Sequence, residues 1–288
     1  MSLPQLKIPF VKACACGNDF LLIDASTVED AEFAAKKSAA KAARTASKKN
    51  AADLASLTRR ICDRHQGVGA DGVEWLYPHA SADVEIRLIN ADGSKAEISG
   101  NGTRCVAAYL CEERGKERIT IQTGAGLKTC VLIGRTDSDY EFEADMGEAD
   151  VQPELILKLN ARKIRGIPVS MGNPHYVVFV REFPENWQNE AAAIQRDAVF
   201  KQGVNVEFVK VDGKHDVSVR FFERGVGETQ SSGTGSCASA VAAMSSGPAE
   251  SPVRVHAPGG IQTVRREGRR VHLRGLARLV CRGEFLMS

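Results

Sequence analysis

The chain has 288 residues, 43% of them apolar and 26% charged, with a formal net charge of +2. A chain of that length makes one large domain or two medium ones with a good core. The near-neutral balance gives no electrostatic case for nucleic acid, no apolar run approaches the roughly 18–20 residues of a membrane span, and the start lacks a charged-then-apolar secretory signal.

In chain order, the first unusual stretch is 29–57, EDAEFAAKKSAAKAARTASKKNAADLASL. Ala and Lys dominate it and large apolar residues are nearly absent, so it reads as a solvated helix or partly disordered insertion. A single Arg and a lack of aromatic residues argue against a nucleic-acid arm. From residue 83 onward, strand-like alternation dominates. DVEIRLIN puts Val84, Ile86 and Leu88 on one face. RITIQTG, TCVLIG, YEFEADMG, HYVVFV, NVEFVKV, DVSVRFF, VRVHAPGG and RRVHLRG follow. Two helices interrupt the strands, over 101–113 and 234–245. Both are rich in small residues (CVAAYL, ASAVAAM), as suits a helix enclosed on all sides. The pattern predicts two strand-rich halves, 1–145 and 146–275, each around one buried helix. A final strand over 276–288 is able to pair with either half.

Eight cysteines are scattered without C-x₂-C pairs or a nearby His-x₃-His. A chain this long needs no disulfide staples, so they read as free thiols of a reducing cytoplasm, with no zinc site.

Each predicted helix opens on the same phrase. Ser99-Gly100-Asn101-Gly102 matches Ser232-Gly233-Thr234-Gly235, and an acidic residue, Glu97 or Glu228, precedes each serine. Serine caps a helix and glycine lets a ligand approach the backbone. The first turn exposes unpaired N–H groups at the positive end of the helix dipole, which favours a carboxylate or phosphate. One such start is an ordinary cap. A matched pair, one in each half, indicates duplication and a shared anionic ligand.

The motifs GNDF (17–20), DRHQGVGADGV (63–73), NADGSKAEISGNGTRC (90–105), MGNPHYVVFV (171–180), GVNVEF (203–208), ERGVGETQSSGTGSC (223–237) and PGG (258–260) occur in that order. Their run, from Lys12 to Phe285, resembles the diaminopimelate epimerase family, with the Ala/Lys segment as an enlarged insertion. The resemblance implies an α/β (α+β) fold of two pseudo-symmetric domains, each a strand-rich barrel around a central helix, with the active site in the cleft between them. It implies inversion of the α-carbon of a diamino dicarboxylic acid, LL- to meso-diaminopimelate, without pyridoxal phosphate, metal or any other cofactor. It also suggests a cytoplasmic homodimer.

Carried over position by position, the resemblance puts the substrate's α-carboxylate on the backbone N–H groups of Gly100, Asn101, Gly233 and Thr234. Asn18, Asn90, Asn173, Asn205 and Arg224 match the residues that hold the distal end, where Arg suits a bidentate carboxylate grip. His175 and Glu223 match a pair that tunes the catalytic thiols. Taken singly, Asn90 and Asn173 also make good turn residues, His175 a satisfied core histidine, and Arg224 with Glu223 a surface ion pair.

One departure dominates. The family's two catalytic positions are cysteines, one removing the α-proton and one returning a proton from the far side; here they are Ser99 and Ser232. A thiol's reference pKa is about 8.5 and a helix N-terminus lowers it. A serine hydroxyl is a far weaker acid and needs a neighbouring base. Cys14 also stands where the family often has His. Cys105 and Cys237 fall one to two turns inside their helices, in packing positions. Three readings follow: an epimerase whose thiols have been replaced, a divergent isomerase or dehydratase on the same fold, and a non-catalytic binder of a diamino acid.

Overall fold

The computed structural model describes residues 6–28, 54–159 and 162–287. Most of the Ala/Lys-rich stretch, 29–53, lies outside the described residues. Its last residues open a helix, α1 (Leu54–Cys62), whose Leu57, Thr58, Ile61 and Cys62 are buried.

The chain forms two compact units, Met1–Tyr140 with Ala277–Ser288, and Glu141–Leu276. The first contains β1 (Leu6–Ala15), β2 (Asn18–Asp24), α1, β3 (Gly72–Tyr77), β4 (Val84–Asn90), β5 (Lys95–Ala96), α2 (Gly100–Arg114), β6 (Arg118–Thr123), β7 (Gly126–Thr136) and the start of β8 (Asp139–Glu148). The second contains the rest of β8, then β9 (Asp150–Val151), β10 (Leu155–Leu159), β11 (Arg162–Ser170), β12 (Pro174–Phe179), α3 (Trp187–Gln195), β13 (Asn205–Gly213), β14 (Asp216–Glu223), β15 (Gly227–Thr229), α4 (Gly233–Ser246), β16 (Val253–Ala257), β17 (Gly260–Glu267) and the first part of β18 (Arg270–Met287).

The architecture is mixed α+β and strand-rich, and the two units repeat one pairing order. In the first, β1/β2 is antiparallel, β2/β3 parallel, β3/β4 antiparallel, β4/β6 parallel and β6/β7 antiparallel. In the second, β11/β12, β12/β13, β13/β14, β14/β16 and β16/β17 follow the same alternation. Register agrees as well: Phe20 lies opposite Gly72 in one parallel pair, and His175 opposite Asn205 in the other. The last two stretches expected to be separate strands, RRVHLRG and LARLVCRGEF, are one continuous β18. Its first part pairs with β17 and its second with β1.

The two small-residue helices are the centres of their units. In α2, Asn101 through Ala108, Leu110 and Cys111 are all buried; in α4, Gly235 through Ala243 are. A helix apolar on every side is stable only when enclosed, and Ala, Ser and Cys let strands approach it from several directions. α2 packs on β1, β2 and β6; α4 packs on β11–β14, β16 and β17. Both helices begin one residue before the expected start, because the serine itself is the cap. Both end on a left-handed glycine, Gly115 (φ 65°) and Gly247 (φ 95°). Cys105 and Cys237 are fully buried, the packing role expected of them. All eight cysteines carry free thiols, and no helix among the described residues is long and apolar enough to cross a membrane.

A satellite cluster sets α3 against β12 and β13. Trp187 meets Phe208 edge-on at 6.0 Å and Phe222 at 6.4 Å. In the first unit, Trp75 on β3 donates from Nε1 to Thr58 Oγ1 at 3.2 Å, tying α1 to the sheet. Close packing around α4 leaves no room for added volume. Ala240, fully enclosed, is expected to lower unfolding free energy by about 1–3 kcal/mol when changed to Leu, through overpacking; urea denaturation measures it.

Candidate active site

Ser99 caps α2 from an extended conformation (φ −121°, ψ 121°), and its Oγ accepts the Gly102 N–H at 3.0 Å. Ser232 caps α4 in the same way (φ −141°, ψ 126°), accepting the Gly235 N–H at 3.2 Å. Each bond satisfies one of the orphan donors of a first turn. Neither helix carries an acidic residue in that turn, so the positive end of each dipole is unopposed within its own helix.

Around Ser99 the first unit builds a linked set of amides. Asn18, at the start of β2, accepts at Oδ1 from Asn101 Nδ2 at 2.8 Å and donates from Nδ2 to Asp71 at 3.0 Å. Asp71 in turn meets Arg64, which also grips Asp19. Arg104, almost fully buried, turns its guanidinium back to Gly100 O at 3.2 Å, to Asn101 Oδ1 and to Cys16 Sγ at 3.6 Å. Cys16 occupies the left-handed region at φ 46° in the β1–β2 turn. Asn90 does not join this set. Its carboxamide donates to Ser94 Oγ at 3.0 Å within its own turn.

The second unit repeats the contact between strand turn and helix start. Asn173 Nδ2 donates to Thr234 Oγ1 at 3.3 Å, with the direction reversed from the first unit, where helix-start Asn101 donates to turn residue Asn18. His175 is buried with both ring nitrogens engaged, Nε2 with Asn173 Oδ1 at 3.0 Å and Nδ1 with Glu207 Oε1 at 2.7 Å. With an amide oxygen facing Nε2, that nitrogen carries a hydrogen. One further proton then lies between Nδ1 and Glu207. Burial raises the Glu207 carboxyl above its ordinary value, and His175 opposes that rise. Glu223 does not touch His175 in a hydrogen bond; its Oε1 accepts from Thr229 Oγ1 at 2.6 Å. Burial raises its pKa too, with the Glu207 charge a smaller contribution in the same direction.

Asn205 accepts the Arg224 backbone N–H at 2.9 Å and donates to Pro174 O at 3.2 Å. Arg224 itself is exposed and donates from Nη1 to Gln202 O at 2.7 Å. The second unit therefore gathers Asn173, His175, Asn205, Glu223, Ser232, Gly233 and Thr234 on the ends of β12–β14 and the start of α4, with the Arg224 backbone tied in.

Two buried acids were not expected from the motifs. Glu207 on β13 is the partner of His175. Glu74 on β3 is its counterpart in the first unit, and there the place of His175 is taken by Phe20. Neither Glu74 oxygen has a hydrogen-bond partner among the described residues, and burial alone pushes its pKa up to about 8. A signal for both was present. Gly17-Asn18-Asp19-Phe20 repeats as Gly172-Asn173-Pro174-His175, and Gly72-Val73-Glu74-Trp75 as Asn205-Val206-Glu207-Phe208.

The diaminopimelate epimerase family model matches residues 10–151 and 167–280. The diaminopimelate epimerase of Pelotomaculum thermopropionicum is 36% identical, over 96% of this chain and 98% of its own. That of Desulfitobacterium hafniense is 33% identical, over 96% and 97%. The crystal structure of a hydroxyproline epimerase from Agrobacterium vitis is similar at a TM-score of 0.64 and 16% identity, covering 100% of this chain and 93% of that one. A phenazine biosynthesis protein of the PhzF family from Bacillus anthracis is similar at 0.65 and 16%, covering 98% and 99%. At those identities the structures speak for the fold, and it is the extent of the sequence matches that decides the family. With its two capped helix starts and its ordered motifs, the chain belongs to the diaminopimelate epimerase family, isomerases of the amino-acid epimerase class.

Proposed function

We propose that this chain binds LL- and meso-diaminopimelate and moves the α-proton without a cofactor, at a rate far below that of a thiol enzyme. The observation that carries the reading is the pair of helix starts. Each offers unopposed backbone N–H groups beside an asparagine-tied turn, a setting that receives a carboxylate and stabilises charge developing at its α-carbon. The substrate set is Asn18, Asn90, Gly100 and Asn101 from the first unit, and Asn173, Asn205, Arg224, Gly233 and Thr234 from the second. Ser99 and Ser232 occupy the two proton-transfer positions. His175 with Glu207, and Glu223 near them, supply titratable groups on the Ser232 side. The chain acts in the cytoplasm as a homodimer.

The slow rate follows from the hydroxyls. An acid–base catalyst works best with a pKa near the working pH, and a serine hydroxyl lies far above it. A second reading, a binder without turnover, is favoured by one specific observation. Both hydroxyls already accept a first-turn N–H, so each has a structural use that needs no chemistry.

Calorimetry with meso-diaminopimelate tests the shared part of both readings and is expected to show binding; its absence overturns both. Deuterium uptake at the α-carbon in D₂O separates them, with slow uptake expected and none supporting the binder. Combining Ser99→Cys with Ser232→Cys is expected to raise epimerisation at least about 100-fold, by restoring groups that titrate near neutrality. The same change removes two oxygen caps and should lower unfolding free energy by about 1 kcal/mol per site, as thermal or urea denaturation will show.

A further inference from the structure

Burying a carboxyl group with no hydrogen bond is costly, and native proteins rarely keep one. Glu74 is fully buried, and both of its oxygens lack partners among the described residues. Its ladder neighbours on β2 and β4 are Leu22 and Leu88, neither of which offers a donor from its side chain. A leucine would satisfy that environment better. The carboxyl group instead lies under the first turn of α2. A Cβ added to Gly102 would collide with Glu74 Oε1 and stand 3.3 Å from the Ser99 Cβ. The carboxyl and the serine therefore flank the same glycine.

Their hydrogen-bonding capacities are complementary. The Ser99 hydroxyl accepts from Gly102 N and donates no hydrogen bond among the described residues; Glu74 has two idle acceptors. The second unit shows the same layout. A Cβ on Gly235 would stand 3.0 Å from both Glu207 Oε1 and the Ser232 Cβ, and Glu207 Oε2 is also without a partner. There His175 shares the carboxyl group; in the first unit Phe20 stands in its place, and no hydrogen bond joins Glu74 to Ser99 in this conformation.

From this geometry we infer that Glu74 is the proton-holding partner of Ser99, making the serine a relay between the substrate's α-carbon and a buried carboxylate. The inference rests on the diaminopimelate reading of the site. In the abstraction step the Cα–H bond breaks and its electron pair stays on the substrate, spread into the carboxylate held at the helix start. The proton bonds to Ser99 Oγ, while the serine's own hydroxyl proton, turned toward the carboxylate for this step, passes to Glu74. The reverse step returns a proton to carbon and leaves Glu74 ionised. Atoms and charge balance, and serine is unchanged. Ser99 is half-buried and reachable, whereas Glu74 reaches substrate only through it, so Glu74 is a positioning and proton-holding residue.

The ionisation of Glu74 sets the pH dependence. Abstraction needs the carboxylate, and burial alone holds its pKa at about 8. Cys105, a buried thiol of α2, feels the Glu74 charge, and Arg104 on the same helix faces Gly100, Asn101 and Cys16 instead; the charged groups of β2 and β4 (Asp19, Asp24, Glu85 and Arg87) do not shift Glu74, whose raised pKa comes from burial alone. α-Proton exchange should therefore rise with pH through about 8. The same raised pKa makes the contribution of Glu74 to stability fall from about pH 4.5 to 8, as the carboxyl ionises first in the unfolded chain.

The experiment compares wild type, Glu74→Gln and Glu74→Leu for meso-diaminopimelate binding by calorimetry, α-deuterium exchange across pH, and thermal unfolding. Both variants are expected to bind and to unfold at a higher temperature than wild type at pH 8. Both should lose at least about 100-fold in exchange, together with the rise near pH 8. Binding with no exchange in wild type overturns the inference and leaves the binder reading standing. Exchange in Glu74→Gln that keeps its rate and its pH profile also overturns the inference, while leaving the slow-epimerase reading standing. Absence of binding in wild type overturns the diaminopimelate reading itself, and the relay with it. Should the first two variants fail to fold, Glu74→Asp serves, with exchange reduced and its pH profile kept.

Discussion

A carboxyl group packed beneath the first turn of a buried helix controls what that turn is able to carry. At Gly102 a side chain would collide with Glu74, and at Gly235 it would press on Phe221 and Glu207, so both positions are glycine. A glycine there weakens the helix start, and an oxygen cap three residues before it offsets that weakness. The serine, the glycine and the acid are thus one unit. The asparagine-bearing turns close around it, Asn18 to Asn101 and Asn173 to Thr234.

This constraint bears on the exchange of thiol for hydroxyl. Serine is among the strongest N-caps, and sulfur is a weak acceptor. Oxygen at positions 99 and 232 therefore trades proton-transfer ability for helix stability. The trade need not silence the site if a base stands behind the hydroxyl. The two units differ there. On the Ser232 side, the carboxyl group is shared with an imidazole whose other nitrogen is held by Asn173. On the Ser99 side, the carboxyl group is alone and its charge is opposed by burial only. Two environments for one residue type at matched positions set different proton affinities, a common arrangement where an acid and a base must be told apart.

The repeated Ser-Gly-x-Gly and the small-residue helices were legible because capping and close packing are local rules, readable over a few residues. The strand-rich, mixed class was legible from alternation. The partner of His175 was not. The motif match named His175 and Glu223 as tuning the catalytic positions and did not say what the ring bonds; Glu223 bonds Thr229, and Glu207 takes the histidine. Both acids sit near the ends of paired strands, and only the register of β13 against β12 decides which one faces the ring. Asn90 shows the other limit: its side chain serves its own turn, a use that turn chemistry indicates as strongly as the family motif indicates ligand contact.

Glu74 was hidden for a different reason. In GVEWLY it sits where alternation allows a polar residue, and a single sequence cannot say that both faces of β3 are covered. Only the repeat discloses it. Once the first unit is set on the second by strand pairing, Glu74 falls on Glu207, Asn18 on Asn173 and Phe20 on His175. A duplicated fold thus carries its own comparison. Where the two copies agree, as in serine, glycine and acid, the shared constraint is the architecture of the helix start. Where they part, as in phenylalanine against histidine, the two sides have been given different proton chemistry, and the unpaired acid is the one whose retention packing alone does not explain.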